Sequence, residues 1–339
     1  MTILVTGAAG YVGSHTALRM LRLGHTVVGF DNYSTGLRDR SIRLARSADT
    51  LPGDFHMVEG DIADTDLVAQ TLAEHRIDSV IHLAAHCIVS ESVREPDKYH
   101  RNNTLGAASL LAACAPSGVA RFILSSTTSV YGDPDLGMTP IPESTPCHPI
   151  NPYGASKLAC ERLLAEHAQT RHAAGRPFAG AALRYFNVAG CEPELGEQSN
   201  DAGRLIPTAI NVALGRQPAL TICGSDFPTP DGTCVRDYID VRDIAAAHAD
   251  VLDALKPGNQ RTYNVGMGRG WSVREVAQAT ARVSGHPIPT IEGPRREGDP
   301  AALVADVTKI AQEIGWVAKH TDLGEIIATA LEWASTKWR

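Results

Sequence analysis

Long apolar runs are missing from this 339-residue chain: none approaches the roughly 18–20 residues that a membrane-spanning helix needs. Positive charge is in deficit, with 31 Lys and Arg against 38 Asp and Glu, a net charge of −7. Such a chain offers no basic field to nucleic acid or to an anionic membrane, so neither is expected as a partner. A charged leader is lacking too. The chain runs from Met1 straight into Thr2-Ile3-Leu4-Val5, which argues against a signal peptide and for a cytoplasmic protein. No two of the seven cysteines (Cys87, Cys114, Cys147, Cys160, Cys191, Cys223 and Cys234) form a Cys-x-x-Cys pair, and their number is odd. They read as reduced, mostly structural thiols. The 13 histidines show no metal-ligand spacing, so no metal is expected. Internal repeats and low-complexity tracts are likewise absent.

What is present is an alternation of short apolar runs and helical stripes. Met1–Thr6 reads as a buried strand, Gly7-Ala8-Ala9-Gly10-Tyr11-Val12-Gly13 as a glycine-rich turn, and Ala17, Leu18, Leu21 and Leu23 as the stripe of a helix stopped at Gly24. Strand, glycines and helix in that order suit a dinucleotide. The glycines let the backbone approach a pyrophosphate, which then meets the positive end of the helix. The glycine spacing is three-and-three instead of the commoner two-and-three. A second strand, Thr26–Phe30, ends in Asp31, 18 residues after Gly13. A carboxylate there accepts from ribose hydroxyls and repels a 2′-phosphate, which favours NAD over NADP. Strands at Phe55–Glu59, Ser79–Leu83 and Arg121–Leu124 alternate with helices at Leu67–His75 and Asp97–Ala113, the latter carrying Asn102. A parallel sheet with helices on both faces follows. Its strand ends bring Gly7, Asp31, Asp61, Ala84 and Thr127 to the side where such sheets bind ligands.

Asn151-Pro152-Tyr153-Gly154-Ala155-Ser156-Lys157 opens a further helix, with Pro152 suited to its first position. Four residues apart, Tyr153 and Lys157 share a face. An ammonium beside a phenol favours the phenolate and makes tyrosine a usable base. Taken alone, the spacing also fits a partly exposed aromatic and a solvated lysine on an amphipathic helix. The hydroxyl run Ser125-Ser126-Thr127-Thr128-Ser129 strengthens the catalytic reading.

With these motifs the chain resembles an extended short-chain dehydrogenase/reductase and, within that superfamily, the UDP-glucose 4-epimerases. The similarity covers nearly the whole length. It includes Val5 to His15, Glu59-Gly60-Asp61-Ile62, Ser125-Ser126-Thr127 with Val130-Tyr131-Gly132, Tyr153 to Lys157 and Leu183-Arg184-Tyr185-Phe186-Asn187. Its most specific parts are Thr229 to Ile239 and Pro294-Arg295-Arg296-Glu297-Gly298-Asp299. The resemblance implies Thr127, Tyr153 and Lys157 as the catalytic set and NAD as cofactor. The glycines with Tyr11 and Val12 would hold the pyrophosphate, and Asp31 with Asn32 the adenosine. Asp61, Ile62, Leu83, Ala84, Ala85, Asn102, Ser125, Tyr153, Lys157 and Phe186 would complete the cofactor site. For a UDP-sugar it implies Asn187, Arg236, Arg296 and Asp299 at the UDP. Thr127, Thr128, Ser129, Tyr153, Arg204, Leu205 and Cys223 would complete the substrate site. Tyr153 would take a proton from the 4-hydroxyl while NAD takes the hydride, and the 4-keto sugar would turn over before reduction. The family also implies a homodimer, paired through the helices at Asp97–Ala113 and Tyr153–His167.

After Gly190 the alternation breaks. Asn200–Arg204, Ser225–Gly232 and Ile291–Pro300 read as loops. Helical stripes run at Ile206–Leu214, Ile239–Leu255, Val273–Val283 and Leu323–Trp338, with a short strand at Thr262–Val265. The expectation is an α/β fold: a Rossmann-type doubly wound parallel sheet (1–189) with a smaller mixed α/β UDP-sugar domain (190–339) and some chain crossing between them. Three positions depart from the family. Ala85-His86-Cys87 stands where Gly-Leu-Lys is common, Arg204 where asparagine is frequent, and Leu303 where residue size is associated with admitting N-acetyl sugars. Arg204 motivates one alternative, a UDP-glucuronate 4-epimerase, in which it would meet the C6 carboxylate with Thr128 and Ser129. A 4,6-dehydratase would need a carboxylate pair after Thr127, where Thr128-Ser129 stands. A non-enzymatic NAD sensor would have no use for the tyrosine base.

Overall fold

The computed structural model describes residues 1–134, 139–197, 203–296 and 298–336. They form two compact units. The first holds Met1–Gly132, Cys147–Arg184 and Ala245–Tyr263, the second Asp133–Pro146, Tyr185–Ile244 and Asn264–Arg339. This differs from the 189/190 boundary read from the sequence. Residues 185–189 and 133–146 group with the second unit, and Ala245–Tyr263 returns to the first.

The first unit begins β1 (Thr2–Thr6), α1 (Tyr11–Arg22), β2 (Thr26–Asp31), α2 (Arg38–Ala48), β3 (Phe55–Glu59), α3 (Thr65–Glu74), β4 (Ser79–His82) and α4 (Val89–Arg94). The helix expected over Asp97–Ala113 is α5 (Pro96–Tyr99), a π-helical turn at His100–Leu105 and α6 (Gly106–Cys114). Apolar spacing through the stretch hides the wider turn, which brings Asn103 inside, 1% exposed. Its amide accepts from His86 N (2.9 Å) and donates to His86 O (3.0 Å) and Ser156 Oγ (3.0 Å). The loop after β4 is thereby tied to the helix of Tyr153. The strand β5 (Arg121–Thr127), a 3-10 turn at Thr128–Val130, α7 (Pro152–Ala173) and β6 (Ala179–Tyr185) follow. Asn151 caps α7, its Oδ1 accepting from Gly154 N at 2.8 Å, with Pro152 in the first turn.

The second unit contains β7 (Asn187–Ala189), α8 (Leu205–Ala213), β8 (Leu220–Cys223), β9 (Val235–Arg236) and β10 (Tyr238–Asp240). Next come α9 (Val241–Ala254) and β11 (Gln260–Val265), both of which run partly in the first unit, then β12 (Trp271–Ser272), α10 (Val273–Ser284), β13 (Thr290–Gly293), β14 (Ala302–Leu303), α11 (Thr308–Ile314) and α12 (Leu323–Thr336). The stripe read from Ile239 opens on a strand. The loop read at Ile291–Pro300 contains most of β13, which pairs in parallel with β8. Of the last helix, Trp338 lies outside the described residues, as does most of the Asn200–Arg204 loop. One core of this unit gathers Ile206, Ile210, Tyr238, Trp271, Val276 and Ile326.

Seven strands form one sheet in the order β11-β6-β5-β4-β1-β2-β3, with β3, β2, β1, β4 and β5 parallel. This is the doubly wound Rossmann arrangement, and its order reverses between β1 and β4. The central strands are buried on both faces, which is why they read as unbroken apolar runs such as Ile3-Leu4-Val5 and Phe122-Ile123-Leu124.

Candidate active site

At the carboxyl ends of β1, β2 and β4 lies an open cleft. Its walls include the candidates Gly7, Gly10, Asp31, Asn32, Ile62, Leu83, Ala84, Ala85 and Asn102. Gly7 has φ +73°, and a Cβ there would stand 2.6 Å from Ala84 N. Only glycine fits this approach. Helix α1 starts without a side-chain cap and without an acidic residue in its first turn, formed by Tyr11, Val12 and Gly13. Its positive end is thus suited to an anion. Asp31 is buried, and its carboxylate accepts from Ala9 N (2.9 Å) and Tyr33 N (2.8 Å). Burial raises its pKa above the ordinary range, against the pull of those two bonds. Two acceptor sites are spoken for, and a carboxylate has about four. Asn32 Nδ2 donates to Asp61 Oδ2 at 2.8 Å, joining the loops after β2 and β3. Sequence reasoning passed over Ser34, Thr35 and His86, which also line the cleft. The polar run from Asn32 to Thr35 was a usable signal for the first two.

The catalytic candidates meet at the end of β5. Lys157, 2% exposed, donates from Nζ to Ser125 O at 3.0 Å. The Thr127 side chain stands beside the Tyr153 phenol, and its Oγ1 donates to Ser129 Oγ at 3.3 Å. Burial pushes that phenol up from its ordinary pKa, the Cys87 thiol pushes the same way, and Thr127 pulls it down. Lys157 is lowered by burial, with Cys160, Cys87 and Glu161 acting against it. So the group acting on the phenol from β5 is Thr127, while the ammonium bonds the main chain two residues before it. Thr128 is buried in the 3-10 turn, and Ser129 N donates to Thr127 Oγ1 at 3.2 Å.

The second unit carries the remaining candidates. Arg236, 8% exposed, pairs with Asp299 and donates to Pro300 O at 2.8 Å. Arg296 is exposed, as is Asn187, whose main-chain N donates to Asp237 O at 2.9 Å. Leu205 and Cys223 are half-buried and Phe186 is buried. Arg204 is committed: its guanidinium forms an ion pair with the buried Glu197 carboxylate at 2.9 Å and donates to Val188 O at 2.8 Å.

Residues 3–266 match the NAD dependent epimerase/dehydratase family. A UDP-glucose 4-epimerase of Corynebacterium glutamicum is 43% identical over 99% of this chain and 96% of its own. The chain belongs to this family. A second family member, UDP-arabinose 4-epimerase 1 of Arabidopsis thaliana, is 40% identical over 98% of this chain and 78% of its own. Among solved structures, the UDP-glucose 4-epimerase of Stenotrophomonas maltophila with bound NAD and formylated UDP-arabinopyranose superposes with a TM-score of 0.93 at 37% identity, each chain covered fully (100%). That of Bifidobacterium longum, in complex with NAD+ and UDP, gives 0.90 at 37% identity over 99% and 98% of the two chains. Like these relatives the protein is an enzyme of the epimerase class, on the family's Rossmann sheet.

Proposed function

We propose that the protein is an NAD-dependent UDP-sugar 4-epimerase that interconverts UDP-glucose and UDP-galactose through a transient 4-keto sugar. The observation that carries the reading is the set at the end of β5: a phenol beside a threonine hydroxyl, with a buried ammonium anchored two residues away. NAD fits the first unit, where Gly7 leaves no room for a side chain and Asp31 ends β2 as a buried carboxylate. Gly7, Gly10 and the first turn of α1 would hold its pyrophosphate, and Asp31 its adenosine ribose. Bound there, NAD supplies the hydride acceptor and donor.

The proton is the work of this chain's own groups. Tyr153 takes it from the 4-hydroxyl and later returns it. Thr127, beside the phenol, orients the 4-oxygen, and Lys157 supplies positive charge where the phenolate forms. Arg236 with Asp299, and the exposed Arg296, hold the diphosphate, for which a guanidinium is well shaped. Elimination needs a carboxylate acid and base after Thr127, and Thr128 and Ser129 carry only hydroxyls, so the outcome is inversion. A uronate carboxylate would need a cation, and Arg204 is occupied by Glu197, which disfavours UDP-glucuronate.

A pentose is the second reading, supported by the 40% identity to a UDP-arabinose 4-epimerase. Tyr153, Thr127 and Lys157 act at C4 and the arginines at the diphosphate, so a sugar without C6 would be handled by the same set. Tyr153→Phe tests the assignment. UDP binding should persist while turnover of UDP-glucose falls by about three orders of magnitude or more. Unchanged turnover would remove Tyr153 as the base.

A further inference from the structure

Behind the proposed catalytic groups lies a buried charge cluster that the proton transfer itself does not use. Glu161 follows Lys157 by one helical turn and Tyr153 by two, so the three side chains line one face of α7. Each meets a different residue at the end of β5. Lys157 Nζ donates to Ser125 O (3.0 Å), Ser126 Oγ donates to Glu161 Oε1 (2.5 Å), and Thr127 stands beside Tyr153. Glu161 is held in turn by Arg184, through Nε to Oε1 (3.0 Å) and Nη2 to Oε2 (2.7 Å), and Arg184 Nη1 donates to Tyr131 Oη at 3.0 Å. The side chains of Arg184 and Glu161 are 7% and 10% exposed. A buried ion pair of this kind is weak evidence for stability alone, because its desolvation offsets much of its attraction.

We propose that Glu161, acting through Ser126, is a positioning residue for the epimerase reaction: it sets the register of α7 against the end of β5. One helical turn from Lys157, its carboxylate also favours the protonated ammonium. The inference rests on the functional reading above. It follows from spacing. Ser126 stands between the residue that anchors Lys157 and the residue beside the Tyr153 phenol. A tie at that point fixes both neighbours, while a slip of α7 of about 1 Å would misalign phenol and threonine together. Three ionisable groups act on Lys157: Cys160 and Glu161 on its own helix, and Cys87 after β4. His82 on β4 is held neutral by burial and by Lys157, its pKa pushed down to about 3. Of the three, Glu161 is the one carboxylate.

The test pairs two variants of the NAD-loaded enzyme with UDP-glucose as substrate. Ser126→Ala cuts the tie and leaves the Glu161–Arg184 pair intact. Its kcat should fall about tenfold, with KM and bound NAD within twofold of wild type and the pH profile unmoved. Glu161→Gln keeps an acceptor for Ser126 and removes the charge. Without that carboxylate Lys157 gives up its proton at lower pH, so the alkaline limb of kcat should move to lower pH. A Ser126→Ala kcat within twofold of wild type overturns the register claim, and an unmoved limb in Glu161→Gln overturns the charge claim. Should Glu161→Gln fail to fold, Ser126→Ala decides alone. A wild type that inverts no UDP-sugar refutes the functional reading instead, so the two failures are distinct.

Discussion

The Nζ of Lys157 donates to the main-chain oxygen of Ser125 at 3.0 Å, anchoring a buried ammonium on the strand that carries Thr127. Burial holds its pKa below the ordinary 10.5. Activity should therefore be lost on the alkaline side before an ordinary lysine would titrate, and Lys157→Ala should lower kcat by about two orders of magnitude or more at neutral pH. A pH–rate series on both proteins checks this. The variant should lack the limb that Lys157 supplies.

Gly7 leaves no space for a side chain. At φ +73° and with Ala84 N only 2.6 Å from an added Cβ, Gly7→Ala should destabilise by about 2 kcal/mol or more and abolish retention of NAD. Gly118, with nothing within 4 Å of an added Cβ, is the control, and Gly118→Ala should change neither property. Melting temperature and the NAD content of purified protein report both.

His82 is buried, with Nδ1 at 2.8 Å from Thr6 Oγ1, and its pKa falls from 6.5 to about 3. Between those values the unfolded chain binds the proton and the folded one does not. This contribution is therefore complete above pH 6.5 and is lost as pH falls towards 3, at about 1.4 kcal/mol per unit. Asp237, raised from 3.8 to about 6, works in the opposite sense, its folded form binding the proton between those values. The two offset each other in the wild type, so the difference from a variant is the useful quantity. His82→Asn should cost about 2 kcal/mol more at pH 7 than at pH 5 by denaturant unfolding.

Arg204→Asn separates a structural arginine from a substrate-reading one. Removing the guanidinium leaves the Glu197 carboxylate, whose side chain is 3% exposed, without its cation. Stability should fall by about 1–3 kcal/mol. The ratio of kcat/KM for UDP-glucose over UDP-glucuronate should stay within twofold. A large change in that ratio would restore Arg204 to the sugar site.

The strands and the first glycine turn were legible because buried parallel strands are written as unbroken apolar runs ended by polar or small residues. Asp31, Thr127, Tyr153 and Lys157 sat at those ends or one turn into a helix, but spacing alone also fitted a solvated pair, and the resemblance to the epimerases singled out the catalytic set. The missed features depend on partners far along the chain. Arg204 looks like a free cation until Glu197 and the Val188 carbonyl close on it. Glu161 and Arg184 stand 23 residues apart, and no local pattern pairs them. The π turn at His100–Leu105 lies in a stretch whose apolar spacing is that of one ordinary helix, and only the inward Asn103 betrays it. β13 is four residues long and mostly exposed, in glycine- and proline-rich surroundings, so composition hid a strand that pairing with β8 defines.

The most direct test of the account is to incubate the purified protein with UDP-glucose, with no NAD added, and follow the configuration at C4 by proton NMR. UDP-glucuronate and UDP-N-acetylglucosamine are run in parallel. Conversion of UDP-glucose to a mixture with UDP-galactose is the predicted result. Retention of the original configuration in all three sugars would contradict it.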